Sequence, residues 1–160
     1  MAAGEQDAAR AAMLAMFDDE DRRLMRLAAE AKTPGVSRAE EIVAYAKHAG
    51  IRKIGIANCV GVEAAGEAFE QMLAADFEVT RVACNVFGLD RGEVVEGMSG
   101  GTCNPVGQAK VLNDAGTELN VAMALCLGHD MLFAKHSAAP VTTLVVKDRV
   151  HGHNPIAAFA

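Results

Sequence analysis

Strand-like and helix-like segments alternate from residue 51 onward in this chain of 160 residues, and that alternation constrains the fold most strongly. Short apolar runs are separated by segments of helical spacing with short links, an order typical of parallel strands joined by right-handed crossovers. Strands are predicted at residues 51–57, 78–84, 119–126 and 141–147, and helices at residues 62–76, 105–114 and 130–136. The sequence therefore predicts a small α/β, Rossmann-like three-layer domain with four parallel strands in the order 2-1-3-4.

The first part of the chain has a different pattern. Residues 1–36 are rich in alanine, methionine and charge at mostly helical spacing, which predicts one or two helices in a separate segment. The acidic run at residues 18–21 is expected to start the second helix, since carboxylates favour a helix N-terminus. Ser37 and Glu40 form a capping box for a further helix, so the α/β domain is predicted to cover residues 37–160.

The composition limits the kinds of molecule that this chain is expected to bind. The net charge is −6, with no cluster of lysine or arginine and no tryptophan, which argues against a nucleic-acid partner. No apolar stretch approaches the roughly 20 residues that span a bilayer, and no signal peptide is recognised, so we expect no membrane partner and a cytoplasmic protein. We expect a small-molecule substrate, sulfur-containing or anionic, and leave homo-oligomer formation open.

Four cysteines occupy positions that suggest a shared site. Cys59, Cys84 and Cys126 each follow or close a strand-like run, and Cys103 stands directly before an Asn-Pro helix start. The carboxyl ends of parallel strands share one edge, where open α/β sheets bind ligands. In a reducing compartment, cysteines serve as ligands, reactive thiols or small core residues more often than as disulfides. We give all four as candidate metal ligands, with a 4Fe-4S cluster favoured and zinc as the alternative, and leave open whether three or four of them bind.

The neighbours of the cysteines support this interpretation. Asn104 is expected to cap the helix after Cys103, so that the helix dipole lowers the pKa of that thiol. Gly61 and Gly128 follow two of the strand-terminal cysteines, and a glycine there lets backbone N–H groups approach a bound cofactor. Taken alone, the same glycines are better explained by ordinary turn geometry. We therefore give Asn104, Gly61 and Gly128 as candidate cofactor-binding residues.

Candidate acids and bases follow the last two strands. His129 and Asp130 come just after Cys126, and His153 lies in a tail after the fourth strand, so we give these three as candidate catalytic residues. His129 could also bind metal, and simpler roles are a surface histidine for His129 and a helix N-cap for Asp130. The tail is predicted to fold back over the thiols and bring His153 or Lys147 toward the bound group. Lys147 is also a candidate cofactor-binding residue.

One long connection stands apart from the short links. Residues 85–102 hold five glycines and no regular pattern, and a loop of that length inside a compact domain suggests function. The chain contains neither a phosphate-binding glycine motif nor the sequence of a serine-hydrolase nucleophile turn. The reaction is therefore left open by the motifs.

Several separate segments resemble one known family. They are Ile54-Gly-Ile-Ala-Asn-Cys-Val-Gly61, Cys103-Asn-Pro-Val-Gly-Gln-Ala109, Leu125-Cys-Leu-Gly-His-Asp130 and the stretch at residues 139–155. Together they resemble the uncharacterised prokaryotic metal-binding family called domain of unknown function eighteen-forty-seven, over about residues 38–160. The resemblance implies a metal-binding, anaerobe-associated protein whose four cysteines match the thiols of the family. Many members open with a cysteine-rich segment, whereas residues 1–37 contain no cysteine.

Three functions compete at this point. The first is an iron-sulfur enzyme with an iron open to a sulfur-bearing substrate, suited to desulfuration or sulfur transfer. The second is a structural zinc protein in which four thiolates close the metal site. The third is a metal-free thiol redox protein that uses Cys103 as the nucleophile. Whether the chain is an enzyme stays open.

Overall fold

The computed structural model describes residues 3–160, and contacts divide the chain into two compact units, Met1–Gly50 and Ile51–Ala160. The boundary that the sequence suggested, between residues 36 and 37, stays a prediction. Within the described residues, no helix combines the length and the apolar character that crossing a membrane requires.

The first unit consists of three helices, α1 (Ala3–Met16), α2 (Asp19–Ala31) and α3 (Arg38–Ala49). Both predicted helix starts are confirmed, because Asp18 and Ser37 are N-caps with complete capping boxes. Helix α2 packs against α3.

The second unit is the predicted α/β domain. It contains β1 (Lys53–Asn58), α4 (Glu63–Leu73), β2 (Glu78–Ala83), α5 (Arg91–Val94), α6 (Pro105–Asp114), β3 (Leu119–Met123), α7 (His129–His136) and β4 (Val141–Val145). All strand pairs are parallel, and the strand order is β2-β1-β3-β4. The predicted fold class and strand order are therefore confirmed.

Helices cover both faces of the sheet. A side chain added at Gly55 would meet Leu112 of α6, whereas one added at Gly66 of α4 would meet Asn58 of β1. Gly55 and Asn58 are three residues apart, so their side-chain directions lie on opposite faces of the strand. Helix α4 thus covers one face and α6 covers the other. The core of the α6 face also includes Phe133 of α7, which is fully buried.

A charged network joins α4 to the sheet. Arg81 of β2 is only 16% exposed and forms ion pairs with three glutamates of α4, namely Glu63, Glu67 and Glu70. Asn58, which is fully buried, donates a 2.8 Å hydrogen bond to Glu63 Oε2. These contacts hold the first turn of α4 next to the carboxyl end of β1.

The register between β1 and β3 depends on a close fit. Gly55 pairs with Asn120, and a Cβ atom on Gly55 would lie only 2.0 Å from Asn120 Oδ1. The fully buried Asn120 amide accepts from Thr117 Oγ1 and donates to Ser137 Oγ, both at 2.8 Å. Only a glycine leaves room for this satisfied polar group inside the sheet.

Strand β3 ends earlier than the sequence suggested. The strand was predicted to run to residue 126, but its pairing with β4 becomes irregular between Ala122 and Met123, and it stops there. Ala124 then adopts a left-handed conformation with φ of 52° while its N–H donates to Val145 O. The chain therefore turns before it reaches Cys126.

We expect Gly55→Ala to destabilise the protein by roughly 1–3 kcal/mol, because the new methyl group would displace the buried Asn120 amide. Urea unfolding followed by circular dichroism measures the change. Gly101→Ala is the matched control, since a Cβ atom there meets nothing within 4 Å, and it should stay within about 0.5 kcal/mol. Equal stability of the two variants would contradict the proposed fit.

Candidate metal centre

The structure places the four cysteines around one edge of the sheet. Cys59 and Cys84 are buried and directly follow β1 and β2, whose last residues, Asn58 and Ala83, are register partners. Asn104 N donates a 2.7 Å hydrogen bond to Cys84 O, and this bond holds the neighbouring Cys103 against β2. The Sγ atoms of Cys84 and Cys103 are 3.5 Å apart.

Cys59 lies in a cationic environment. Lys147 Nζ is 2.8 Å from its Sγ atom, and Gly61 N–H donates to the same sulfur at 3.3 Å. Burial alone would raise the pKa of Cys59, but the bonds from Lys147 and Gly61 outweigh it and lower that pKa below its ordinary value. Cys59 is therefore the thiol of this edge that Lys147 favours as a thiolate.

Cys103 behaves in the opposite way. Burial, its hydrogen bond to Cys84 and the negative charge of the nearby thiolates raise the pKa of Cys103 to about 12. The predicted lowering of this pKa is therefore wrong. Asn104 does cap α6, but its side chain accepts from Gly107 N–H, while Cys103 donates to another sulfur. Burial and neighbouring sulfur outweigh the helix dipole here.

Three side chains converge at this edge. One ligand atom each from Cys103, Cys126 and His129 lies within 4.8 Å of the other two. We call these residues the Cys-Cys-His group. A tight turn joins two of its members, since His129 N–H donates to Cys126 O at 2.9 Å and Gly128 has a positive φ of 84°. The group can hold a metal ion, because thiolates and imidazoles are common ligands of zinc and iron.

The imidazole of His129 has a specific deficiency. Its Nδ1 atom is buried and has no hydrogen-bond partner among the described residues. A buried polar atom without a partner costs free energy, on the order of 1–3 kcal/mol. A metal ion bound to the group through Nδ1 would use this lone pair. The residues of the group therefore fit a metal chemically as well as geometrically.

The tail reaches the same edge through two cations. Arg149 Nη2 is 3.2 Å from Cys126 Sγ, and Lys147 contacts Cys59 as described above. Between them, Asp148 organises the turn by accepting from the N–H groups of Val150 and His151. Those bonds, led by the one from the His151 backbone, lower the pKa of the Asp148 carboxyl.

The remaining predicted site residues have identifiable positions. His153 accepts a 3.1 Å hydrogen bond from Asp148 N–H through Nδ1, so it braces the tail turn. Asn104 uses both amide atoms, toward Gly107 and Val86. Asp130 lies in the first turn of α7, and Gly128 occupies the N-cap, so the expected N-cap role of Asp130 is wrong. The catalytic and cofactor-binding roles of all these residues stay predictions.

A pocket of about 680 Å³ adjoins the Cys-Cys-His group, and Cys103 and His129 form part of its wall. Most of its other lining side chains are apolar: Leu89, Val94, Val95, Met98, Val106 and Leu132. Residues 85–102, a loop that was predicted to be irregular but contains helix α5, supply four of these six. Asp90 closes that loop, because its carboxylate accepts from the N–H groups of Gly92 and Gly100. We call this cavity the apolar pocket.

Sequence reasoning did not group Cys103, Cys126 and His129 as one set of metal ligands. The sequence suggested that His129 donates a proton or binds metal, but the C-x-x-H spacing of Cys126 and His129, which is compatible with metal ligation, was not used to pair them as ligands. That spacing was the available signal. The apolar side chains of the loop gave no comparable signal, because nothing in their order indicates which of them face a cavity.

Known proteins share sequence similarity with this chain. The profile of a family described as "Protein of unknown function (DUF1847)" matches residues 2–144. The chain belongs to the DUF1847 family. The match confirms the predicted resemblance, but it also includes the N-terminal helices and ends before Lys147 and Arg149.

This DUF1847 chain is similar to an uncharacterised protein of Methanocaldococcus jannaschii. The two are 44% identical over 128 residues, which cover 77% of this chain and 66% of that relative. The chain therefore spans just under two thirds of the relative's length. No solved structure matches the chain.

We expect Lys147→Met to raise the pKa of Cys59, because the substitution removes the cation while burial, which disfavours the thiolate, remains. Titration of the ultraviolet thiolate absorbance in metal-free protein measures this change, with Cys59→Ser protein identifying the signal. Lys110→Met, which removes an exposed ion pair with Asp114, is the control and should leave the titration unchanged. A Cys59 titration that is the same in both variants would contradict the assignment.

Proposed function

We propose that this protein binds one zinc or iron ion through Cys103, Cys126 and His129 and uses it in sulfur chemistry. Two observations carry the proposal: a ring nitrogen of His129 lies within 4.8 Å of both sulfur atoms, and the Nδ1 atom of the same ring is buried without a hydrogen-bond partner among the described residues. Structural and catalytic sites are distinguished by whether a coordination position stays open. With three protein ligands, this site keeps one position for a substrate.

The separation of the ligand atoms suits a single ion. Zinc–sulfur bonds of about 2.3 Å and zinc–nitrogen bonds of about 2.0 Å place tetrahedral ligands about 3.5–3.8 Å apart. The ligand atoms of the Cys-Cys-His group, none more than 4.8 Å from another, need only small side-chain rotations to reach that spacing. Both sulfur and imidazole nitrogen suit zinc and iron.

The position of the apolar pocket supports catalysis over a purely structural role. Two of the three proposed ligands, Cys103 and His129, line the pocket, so the open coordination position would face it. A bound zinc or iron ion supplies a Lewis acid that holds and polarises a soft donor atom. Desulfuration or sulfur transfer would use such a donor. Asp130, adjacent to His129, remains the candidate acid or base on α7.

In this proposal, Lys147 and Arg149 of the tail compensate the negative charge of thiolates. Thiolate ligands bring negative charge into a partly buried site, and that charge is costly unless it is compensated. Arg149 donates to Cys126, and Lys147 donates to Cys59. Arg149 would thus stabilise the Cys126 thiolate, on which metal binding depends, while Lys147 stabilises the neighbouring Cys59 outside the proposed ligand set.

An iron-sulfur cluster is the second candidate. Four thiols share this edge, and the negative charges of Cys84, Cys126 and Cys59 all act on Cys103. A 4Fe-4S cluster would use Cys59 and Cys84 as further ligands. The 3.5 Å separation of Cys84 and Cys103 is short for a cluster, because a cluster binds each thiolate at a different iron atom. Cys59 and Cys84 would have to separate from their neighbours to accommodate the cluster.

Anaerobically purified protein should contain about one zinc or iron ion per chain and no acid-labile sulfide. Metal and sulfide analysis measures both quantities. About four iron atoms with matching sulfide would instead support the cluster. His129→Ala and Cys126→Ser should each lower bound metal at least tenfold, since each removes one of three ligands.

His136→Ala is the matched control for these variants, because His136 lies on the same helix, α7, with an exposed side chain. It should retain the metal of the unmodified chain. Metal loss in the control that equals the loss in His129→Ala would contradict the proposed ligand set. Full metal retention in both His129→Ala and Cys126→Ser would also contradict it.

A further inference from the structure

The apolar pocket combines three chemical features in one cavity. Cys103 and His129 form one part of its wall, apolar side chains form most of the rest, and Arg91 also lines it. Among the lining residues, all of them within the described part of the chain, Arg91 alone carries a permanent charge. A ligand that fills the pocket would therefore meet a metal-binding region, an apolar surface and a single cation.

Arg91 has donors available for a ligand. In the described residues, its guanidinium makes one long hydrogen bond, 3.5 Å from Nη2 to Gly101 O, and no carboxylate pairs with it. A guanidinium offers five N–H donors in a planar fork that matches a carboxylate in two parallel bonds. One cation in an otherwise apolar wall balances one negative charge, which suits a carboxylate better than a phosphate.

The loop that carries Arg91 has an ordered backbone. Arg91 N–H donates to Gly100 O at 2.7 Å, and Thr102 N–H donates to Leu89 O at 3.0 Å. A Cβ atom at Gly92 would lie 2.6 Å from Met98 O, so the two sides of the loop are in close contact. The cation and the apolar side chains Val94, Val95 and Met98 are thus presented by one organised segment.

We propose that the apolar pocket binds an organic thiol with an apolar chain and a terminal carboxylate. The carboxylate pairs with Arg91, the chain contacts Val94, Val95 and Met98, and the sulfur occupies the open position at the Cys-Cys-His group. The inference rests on the proposed function, since the sulfur needs the metal ion as its partner. A soft donor is the ligand that a site of thiolates and imidazole accepts most readily.

The test uses the full chain loaded with cobalt(II), whose absorption spectrum reports the sulfur atoms bound to the metal. Titration with ω-mercaptoalkanoates of increasing length should add intensity to the sulfur-to-cobalt bands. Affinity should increase about fourfold for each buried methylene group, until the pocket is filled. Mercapto-alcohols of the same length, which lack the negative charge, should bind more weakly.

Arg91→Met separates the role of the charge from that of the pocket. It should weaken mercaptoalkanoate binding at least about tenfold, the effect of losing a charge-assisted pair, and leave mercapto-alcohol binding unchanged. Unchanged mercapto-alcohol binding also shows that the variant is folded and holds cobalt. Arg10→Met, on the exposed surface of α1, is the control and should bind both ligands like the unmodified chain.

The outcomes distinguish this inference from the proposed function. If cobalt binds but thiols leave its spectrum unchanged, or if Arg91→Met binds mercaptoalkanoates as tightly as the unmodified chain, the inference is wrong and the metal site stands. If cobalt does not bind to the unmodified chain, the proposed function and the inference both fail.

Discussion

The parallel register of β1 with its two neighbours is the constraint on which the site depends. Because Asn58 pairs with Ala83 on one side and Met123 on the other, the residues that follow these strands emerge at the same edge. The close approach of Gly55 to the buried Asn120 disfavours other registers. In another register a residue with a side chain would lie opposite Asn120 and overlap its amide. A slip of one residue would send every strand side chain to the opposite face.

Charge compensation is the second condition for a cluster of thiols at a buried edge. Lys147 lies 88 positions after Cys59 in sequence, yet its Nζ atom is 2.8 Å from that sulfur. Arg149 lies 23 positions after Cys126 in sequence, and its Nη2 atom is 3.2 Å from that sulfur. Because the tail approaches after the last strand, its two cations reach thiols that lie beyond different strands. The thiols of this edge therefore lie beside cations of the tail, and the proposed metal site includes one of these thiols, Cys126.

Patterns in the sequence predicted the fold well and the site in part. Helix α6 was predicted with its observed bounds because Asn104 and Pro105 are strong local start signals. The strand order followed from crossover rules. In contrast, the early end of β3 results from a bulge and from the left-handed Ala124, which tertiary contacts impose and no local pattern signals. The pKa of Cys103 was predicted in the wrong direction, since a local helix argument cannot include sulfur atoms from other segments.

The central claim is that two thiolates and one imidazole hold a single ion. X-ray absorption spectroscopy at the edge of the metal that copurifies with the protein tests it most directly. We predict two sulfur atoms, at about 2.3 Å for zinc, and at least one nitrogen or oxygen atom at about 2.0–2.1 Å. A shell of four sulfur atoms without nitrogen, or scattering from a second metal atom, would contradict the claim.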